Sequence, residues 1–285
     1  MNSRVDVDLL QARAVARPRC TLVGAGPGDP ELLTVKALRA IRRATLLLVD
    51  DLVGPELLAF ALKGLRRQPR IVQVGKRGGC ASTPQAFIER LMATQALAGE
   101  RVVRLKGGDP FIFGRGGEEA EHLRALGVEV DVVAGITSGL AAAHALSVQL
   151  THRDHAHGVM FITGHAREHG APLDWGVIGA AAAQGLTLVI YMGVAQVASL
   201  QDGLLRELGA DTPAAVVQHA SLPTQRQLVT TLGGLCVDMR REGLGSPAII
   251  VIGDVLKGIA AAMQPASPAA PATSDVSLDV VRACA

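Results

Sequence analysis

Short apolar runs alternate along this chain with longer amphipathic stretches, and this alternation limits the possible folds more than any other feature. In the first half of the chain the apolar runs cover residues 20–24, 45–49, 71–75, 101–105 and 128–133. Stretches with helical periodicity cover residues 31–43, 84–97 and 116–126. Strands that alternate with helices form a parallel sheet with helices on its faces. We therefore predict an α/β fold built on a mostly parallel sheet.

The first predicted helix has a well-marked start. Asp29 can cap it, Pro30 suits the first helical position, and Glu31 lies at the positive end of the helix dipole. The apolar residues Leu33, Ala37, Ile41 and Ala44 then recur at helical spacing. These signals predict one continuous helix over residues 31–43.

A second series of apolar runs follows Ala134 and Gly135. We predict an N-terminal α/β domain over residues 18–134 and a C-terminal α/β domain over residues 135–263, with a ligand cleft between them. Residues 1–17 lack convincing periodicity, residues 264–285 are rich in Pro, Ala and Ser, and both are predicted to be disordered tails. In the C-terminal domain we expect helices near residues 194–208 and 232–242, and strands at residues 159–163, 186–192, 214–218, 227–231 and 248–253.

Composition excludes several classes of function. Aromatic residues make up 2% of the chain and the net charge is +2, so neither a base-stacking surface nor a basic face indicates a nucleic-acid partner. No apolar run approaches the roughly 20 residues of a membrane helix, and the N-terminus does not resemble a signal peptide. The cysteines lie too far apart for a disulfide framework or a zinc site, so we expect a cytoplasmic protein. They are Cys20, Cys80, Cys236 and Cys284.

The residues that follow the first predicted strand form a glycine-rich turn, GAGPGDP, at residues 24–30. Together with Asp50 after the second strand, this turn is similar to a dinucleotide-binding fingerprint. Two features weaken that interpretation: Asp29 stands where the third glycine belongs, and Pro27 and Pro30 remove backbone donors from the loop. An NAD-dependent oxidoreductase therefore remains an alternative, and so does a plain turn into a capped helix.

The segment into which the fourth predicted strand runs is the most informative part of the chain. It reads RLKGGDPFIFGRGGEE and covers residues 104–119. Its glycines permit a close approach of backbone to ligand, and Arg115 presents a fork suited to carboxylates. Glu118 and Glu119 fall where a helix begins, so their simplest role is to interact with the helix dipole.

Seven motifs together resemble one family. GAGPGDPELLT, VDDLV, VGKRGG, RLKGGDPFIFGRGGEE, GITSG, LTHRD and YMG occur in the order found in uroporphyrinogen-III C-methyltransferases, which belong to the tetrapyrrole methylase group. The similarity covers about residues 20–256. It implies two α/β domains with the methyl donor S-adenosylmethionine bound between them, and a homodimer. It also implies methylation of uroporphyrinogen III at two pyrrole carbons, giving precorrin-2 by way of precorrin-1.

The resemblance carries roles to individual positions. The family's proton acceptor and donor fall on Asp50 and Lys76, and Glu118 is a second candidate for the base. The contacts to S-adenosylmethionine, which leaves as S-adenosylhomocysteine, fall on Pro27, Gly107, Gly108, Asp109, Ile112, Thr137, Ser138, Met192 and Ala220. An acid-edged macrocycle requires cations, for which the candidates are Arg77, Arg104, Lys106, Arg115 and Arg153. The sulfonium already activates the methyl group, so we expect no metal.

The sequence departs from the family pattern at three places. Val49 stands where tyrosine is common, Ala134 replaces a proline, and residues 218–221 read QHAS in place of ENGT. A later precorrin methyltransferase of the corrin pathway shares several motifs and is the nearest alternative. A tetrapyrrole-binding protein without catalytic activity is another. The product would serve sirohaem, cobalamin or haem d1 synthesis.

Overall fold

A computed structural model describes residues 17–75, 83–165 and 173–263. The first part of the chain forms a five-stranded sheet in the order β3-β2-β4-β1-β5, with every pair of neighbouring strands parallel. Its strands are β1 (Arg19–Gly24), β2 (Leu46–Val49), β3 (Arg70–Gln73), β4 (Val102–Lys106) and β5 (Glu129–Val133). This sheet confirms the parallel α/β prediction for the first half of the chain.

Helices cover both faces of this first sheet. They are α1 (Val35–Arg43), α2 (Pro55–Leu62), α3 (Gln85–Leu97) and α4 (Gly116–Ala125). Because successive strand residues point to opposite faces, Leu47 packs with α1 and α2, whereas Leu48 packs with α3 and with Leu123 of α4. Burial on both faces explains why β2, which reads LLLV, is continuously apolar.

The second part of the chain forms a five-stranded sheet that is mostly antiparallel, in the order β6-β7-β10-β8-β9. Only β6 and β7 are parallel to each other. The strands are β6 (Gly158–Thr163), β7 (Leu186–Tyr191), β8 (Pro213–Gln218), β9 (Arg226–Thr231) and β10 (Ala248–Ile252). The expectation of a mostly parallel sheet is wrong here. Residues 219–225 are too few for the crossover of about a dozen residues that a parallel pair needs.

Five helices accompany the second sheet in the described ranges: α5 (Ser138–Ala145), α6 (Trp175–Ala182), α7 (Val197–Leu204), α8 (Leu235–Arg241) and α9 (Lys257–Met263). One face of the sheet packs with α6, α7 and α8, and the other packs with α5. No helix in these ranges is long and apolar enough to cross a membrane.

The helix predicted over residues 31–43 is divided in the structure. Asp29 does cap, since its Oδ1 accepts a hydrogen bond from the backbone nitrogen of Glu31 at 2.8 Å, but it caps a short 3₁₀ helix over Pro30–Leu32. Leu33 is extended, and α1 begins afresh after Thr34, whose hydroxyl accepts from Ala37 N at 3.1 Å. A second capping residue inside the periodic stretch therefore restarts the helix.

Three glycines bring the two parts of the chain into backbone contact. A Cβ on Gly135 would lie 2.2 Å from the carbonyl oxygen of Gly108, and one on Gly24 would lie 2.5 Å from the nitrogen of Gly135. Gly108 also exchanges two backbone hydrogen bonds with Gly26, at 2.7 and 3.1 Å. The predicted domain boundary at residues 134–135 lies beside this contact, between β5 and α5. The division into domains stays a prediction, and apart from Arg17 both predicted tails lie outside the described residues.

We expect Gly135→Ala to destabilise the protein by about 1–3 kcal/mol or more, because backbone atoms of two other segments must move to admit the methyl group. The measurement is the urea midpoint of unfolding. The control is Gly258→Ala in α9, where nothing lies within 4 Å of the added Cβ, and alanine should stabilise by up to about 1 kcal/mol. Equal midpoints for the two variants would contradict the close contact.

Candidate functional site

The turns that follow β1 and β4 lie side by side, because these strands are parallel neighbours and their carboxyl ends meet at one edge of the sheet. Asp109 joins the second turn to the segment that enters α5. One carboxylate oxygen accepts from the backbone nitrogen of Phe111 at 2.8 Å, and the other accepts from that of Gly135 at 3.0 Å. The side chain of Asp109 therefore holds the glycine-rich turn against the start of the second part of the chain. Below, the two parts that carry the two sheets are called the N-terminal and the C-terminal unit.

Tyr191, at the end of β7, holds the start of α5 in place. Its hydroxyl lies 2.7 Å from Thr137 Oγ1 and accepts from the backbone nitrogen of Gly139 at 2.9 Å. Gly139 has to be a glycine, since a Cβ there would lie 2.3 Å from the tyrosine hydroxyl oxygen. Burial raises the pKa of Tyr191, so the hydroxyl keeps its proton. Tyr191 is the tyrosine of the YMG motif, and this role was not predicted; a tyrosine near the end of a predicted strand was the available signal.

Several further contacts connect the two units around this edge. The backbone nitrogen of Asp29 donates to Ser221 Oγ at 3.1 Å, and the ring of Phe113 lies 4.9 Å from that of Tyr191. Ile112 packs against the apolar cluster of the second sheet, which contains Ala220. Met192 is half exposed and has a left-handed backbone, with φ of 55°. The positions predicted to contact S-adenosylmethionine therefore come from turns of both units that the structure brings to one edge.

Arg104 and Lys106 do not lie where we expected them. Both are 3% exposed, and both bind the fully buried carboxylate of Glu119. Lys106 Nζ donates to each oxygen of Glu119 at 3.0 Å, and Arg104 Nε donates to Oε1 at 3.3 Å. Their burial makes them internal ion-pair partners and corrects the expectation that they face the substrate. We also expected Glu119 to interact simply with the helix dipole, whereas its main interaction is with these two cations.

Asp50 and Glu118, the two candidates for the base, occupy different surroundings. The side chain of Asp50 is 25% exposed, and its Oδ2 lies 3.7 Å from Arg104 Nη2. Glu118 is on the surface of α4, where its Oε2 accepts from Arg115 Nη2 at 2.6 Å. Arg115 has a left-handed backbone with φ of 57°, and its hydrogen bond to Glu118 raises the pKa of its guanidinium.

The remaining predicted residues are placed only in part. Lys76 and Arg77 lie outside the described residues. Arg153 is exposed on a turn closed by His152 and Ala156, where it lines a cavity of about 660 Å³ formed by residues 149–157. Within the described ranges, no group of three or more histidine, cysteine or acidic residues is arranged to hold a metal ion.

Residues 19–236 match the family model of the Tetrapyrrole (Corrin/Porphyrin) Methylases. The chain belongs to this family. It is 51% identical over 239 residues to a uroporphyrinogen-III C-methyltransferase of Pseudomonas aeruginosa, which covers 84% of this chain and 94% of that protein. It is 46% identical to siroheme synthase 2 of Aeromonas hydrophila, covering 82% of this chain but only 48% of that longer protein.

Solved structures of the family share the fold. The uroporphyrin-III C-methyltransferase of Thermus thermophilus, complexed with S-adenyl homocysteine, aligns with a TM-score of 0.69 and 38% identity, over 84% of this chain and 99% of that chain. A cobalt precorrin-4 methyltransferase aligns with a TM-score of 0.73 and 26% identity, over 85% and 98% of the two chains. Family membership leaves the NAD-dependent oxidoreductase alternative without support.

We expect Tyr191→Phe to lower the free energy of unfolding by about 1–3 kcal/mol, because the buried backbone N–H of Gly139 loses its acceptor. Chemical denaturation measures the change. Thr137→Val serves as the comparison: it removes the bond from Thr137 to the hydroxyl and leaves the bond to Gly139 intact, so its effect should be smaller. A Tyr191→Phe protein as stable as the parent would contradict this structural role.

Proposed function

We propose that this protein transfers methyl groups from S-adenosylmethionine to two pyrrole carbons of uroporphyrinogen III, giving precorrin-2 by way of precorrin-1. The observation that carries the proposal is the carboxyl edge of the first sheet, where Asp109 holds the glycine-rich turns against the start of α5. We call this edge the converging edge. Support comes from the Pseudomonas aeruginosa relative, which is named for this reaction and matches over 94% of its length. The Thermus thermophilus relative binds S-adenyl homocysteine.

The turns at this edge fit the methyl donor. At Gly108, where φ is +65°, an added Cβ would make only ordinary van der Waals contact, at 3.8 Å, with the backbone of Thr137 and Ser138. A glycine with positive φ in this turn leaves the backbone without a side chain, so that a ligand can approach it closely. The residues that would hold S-adenosylmethionine are Pro27, Gly107, Gly108, Asp109, Ile112, Thr137, Ser138, Met192 and Ala220.

Bound S-adenosylmethionine supplies an electrophilic methyl group, because its sulfur carries a positive charge. The protein's part is to hold a pyrrole carbon in line with that methyl group, since orientation can remove much of the barrier. A carboxylate must also accept the proton that the macrocycle loses when the new carbon–carbon bond forms. We assign this role to Asp50, because its carboxylate is partly exposed at the converging edge, whereas Glu118 is paired with Arg115 on the surface of a helix.

Cations at the edge of the site would hold the acidic side chains of the macrocycle. Arg115 is the leading candidate, because more than half of its side chain is exposed next to the glycine-rich turn. Arg77 and Arg153 are further candidates, and Lys76 is proposed as the proton donor. We also propose that the protein acts as a homodimer in the cytoplasm, as the family resemblance and the cysteine pattern predict.

The test is an anaerobic incubation of the purified protein with uroporphyrinogen III and S-adenosylmethionine. The expected product is a dimethylated macrocycle with the absorbance and mass of precorrin-2, formed together with S-adenosylhomocysteine. A protein that leaves uroporphyrinogen III unchanged and methylates a later precorrin would overturn the proposal in favour of the nearest alternative.

We expect Arg115→Ala to raise the KM for uroporphyrinogen III by about tenfold or more, because a charge-assisted hydrogen bond contributes roughly 1.5–3 kcal/mol. The dissociation constant of S-adenosylhomocysteine, measured by calorimetry, should stay within about twofold. Arg124→Ala removes an exposed arginine from α4, the helix that Arg115 precedes, and should leave both values unchanged. Equal losses of substrate and S-adenosylhomocysteine binding would refute the role of Arg115.

A further inference from the structure

Glu119 is fully buried in the N-terminal unit. Its carboxylate makes more polar contacts than an interaction with the helix dipole would need. Its carboxylate accepts two hydrogen bonds from Lys106, one from Arg104, and one from Gln85 Nε2 at 3.2 Å. A buried carboxylate is costly unless it is paired and hydrogen-bonded. Here both oxygens are hydrogen-bonded and two cations lie against them, so the carboxylate of Glu119 is held in one position.

The positions of these residues follow from the fold. Arg104 and Lys106 are two residues apart on β4, so both point to the face of the sheet that α3 and α4 cover. Glu119 projects from the first turns of α4, and Gln85 begins α3. The cluster therefore forms where two helices cross the end of a central strand.

Arg104 extends this cluster to the converging edge. Its Nη1 donates to the carbonyl oxygens of Leu48 and Leu105 at 3.5 and 3.3 Å, and its Nη2 lies 3.7 Å from Asp50 Oδ2. The guanidinium thus has Glu119 on one side and the partly exposed Asp50 on the other. The four charges of the cluster, two positive and two negative, balance.

We propose that Glu119 is a positioning residue for methyl transfer, which holds Arg104 in place so that the guanidinium fixes the carboxylate of Asp50 at the mouth of the site. This inference rests on the proposed function, in which Asp50 accepts the proton from the macrocycle. Without the charge of Glu119, Asp50 would be the nearest carboxylate to two buried cations. It would be drawn inward and away from the substrate.

The electrostatics of Lys106 agree with this arrangement. Burial, and next the charge of Arg104, lower the pKa of its ammonium group, whereas Glu119 opposes the shift. The negative charge of Glu119 therefore offsets the repulsion between the two neighbouring buried cations.

The experiment measures turnover of uroporphyrinogen III by the full-length protein and by Glu119→Gln, Asp50→Glu and the double variant. We expect Glu119→Gln to lower kcat by about tenfold or more and to leave the dissociation constant of S-adenosylhomocysteine within about twofold. In the Asp50→Glu background, whose carboxylate is already displaced, Glu119→Gln should lower kcat by less than about twofold. Glu121→Gln, the same change at an exposed position of α4, should match the parent.

A crystal structure of Glu119→Gln tests the same inference without reference to activity. We expect the carboxylate of Asp50 to move towards Arg104 and Lys106 relative to its place in the parent. Should Glu119→Gln not fold, Glu119→Asp keeps the charge, shortens the reach to Arg104, and should still displace Asp50 and lower kcat.

Each outcome separates the two proposals. Independent, multiplying losses in the double variant, or an unmoved Asp50 together with parental kcat, would overturn the positioning role. A parent that does not methylate uroporphyrinogen III would overturn the proposed function alone, since the crystal structures still report the position of Asp50. A parental kcat for Asp50→Glu would show that Asp50 is not the proton acceptor, and the positioning role of Glu119 would be overturned with it.

Discussion

The architecture of this protein depends on the contact of three backbone segments at Gly24, Gly108 and Gly135, where a single methyl group would collide with peptide atoms. At this point the turns after β1 and β4, at the carboxyl edge of the first sheet, meet the segment that leads into α5. Asp109 then joins the same segments by accepting from two backbone N–H groups. Close approach of bare backbone, fixed by a carboxylate, joins two otherwise separate cores at the place where we propose that the ligand binds.

The charged residues near that edge form two groups, one exposed to solvent and the other buried. Glu118 and Arg115 are paired on the surface at the start of α4, where solvent screens their charges. Glu119, Arg104 and Lys106 are paired inside, where each charge needs its partners to remain buried. Two adjacent glutamates in one motif therefore have unrelated physical roles, decided by the helix face on which each lies.

The corrections to the sequence-based expectations have identifiable causes. The first helix is divided because Thr34 offers a second cap within an otherwise periodic stretch. Helices α2, α5, α6 and α9 were not predicted, since α2 is almost wholly apolar and the other three are rich in alanine, so none shows a clear polar face. The second sheet is mostly antiparallel because strand direction depends on how the connections cross the sheet, which local periodicity does not report.

The order of strands and turns, the parallel first sheet and the family could all be read from the residues, because period, capping and glycine motifs are local properties of the chain. The alternation of side chains on β4 also required Arg104 and Lys106 to share a face. Only the tertiary structure decided that this face is buried, that Glu119 rather than a substrate meets both cations, and that Tyr191 holds the start of α5. These contacts join residues from separate elements, and their distances depend on how helices pack on the sheets.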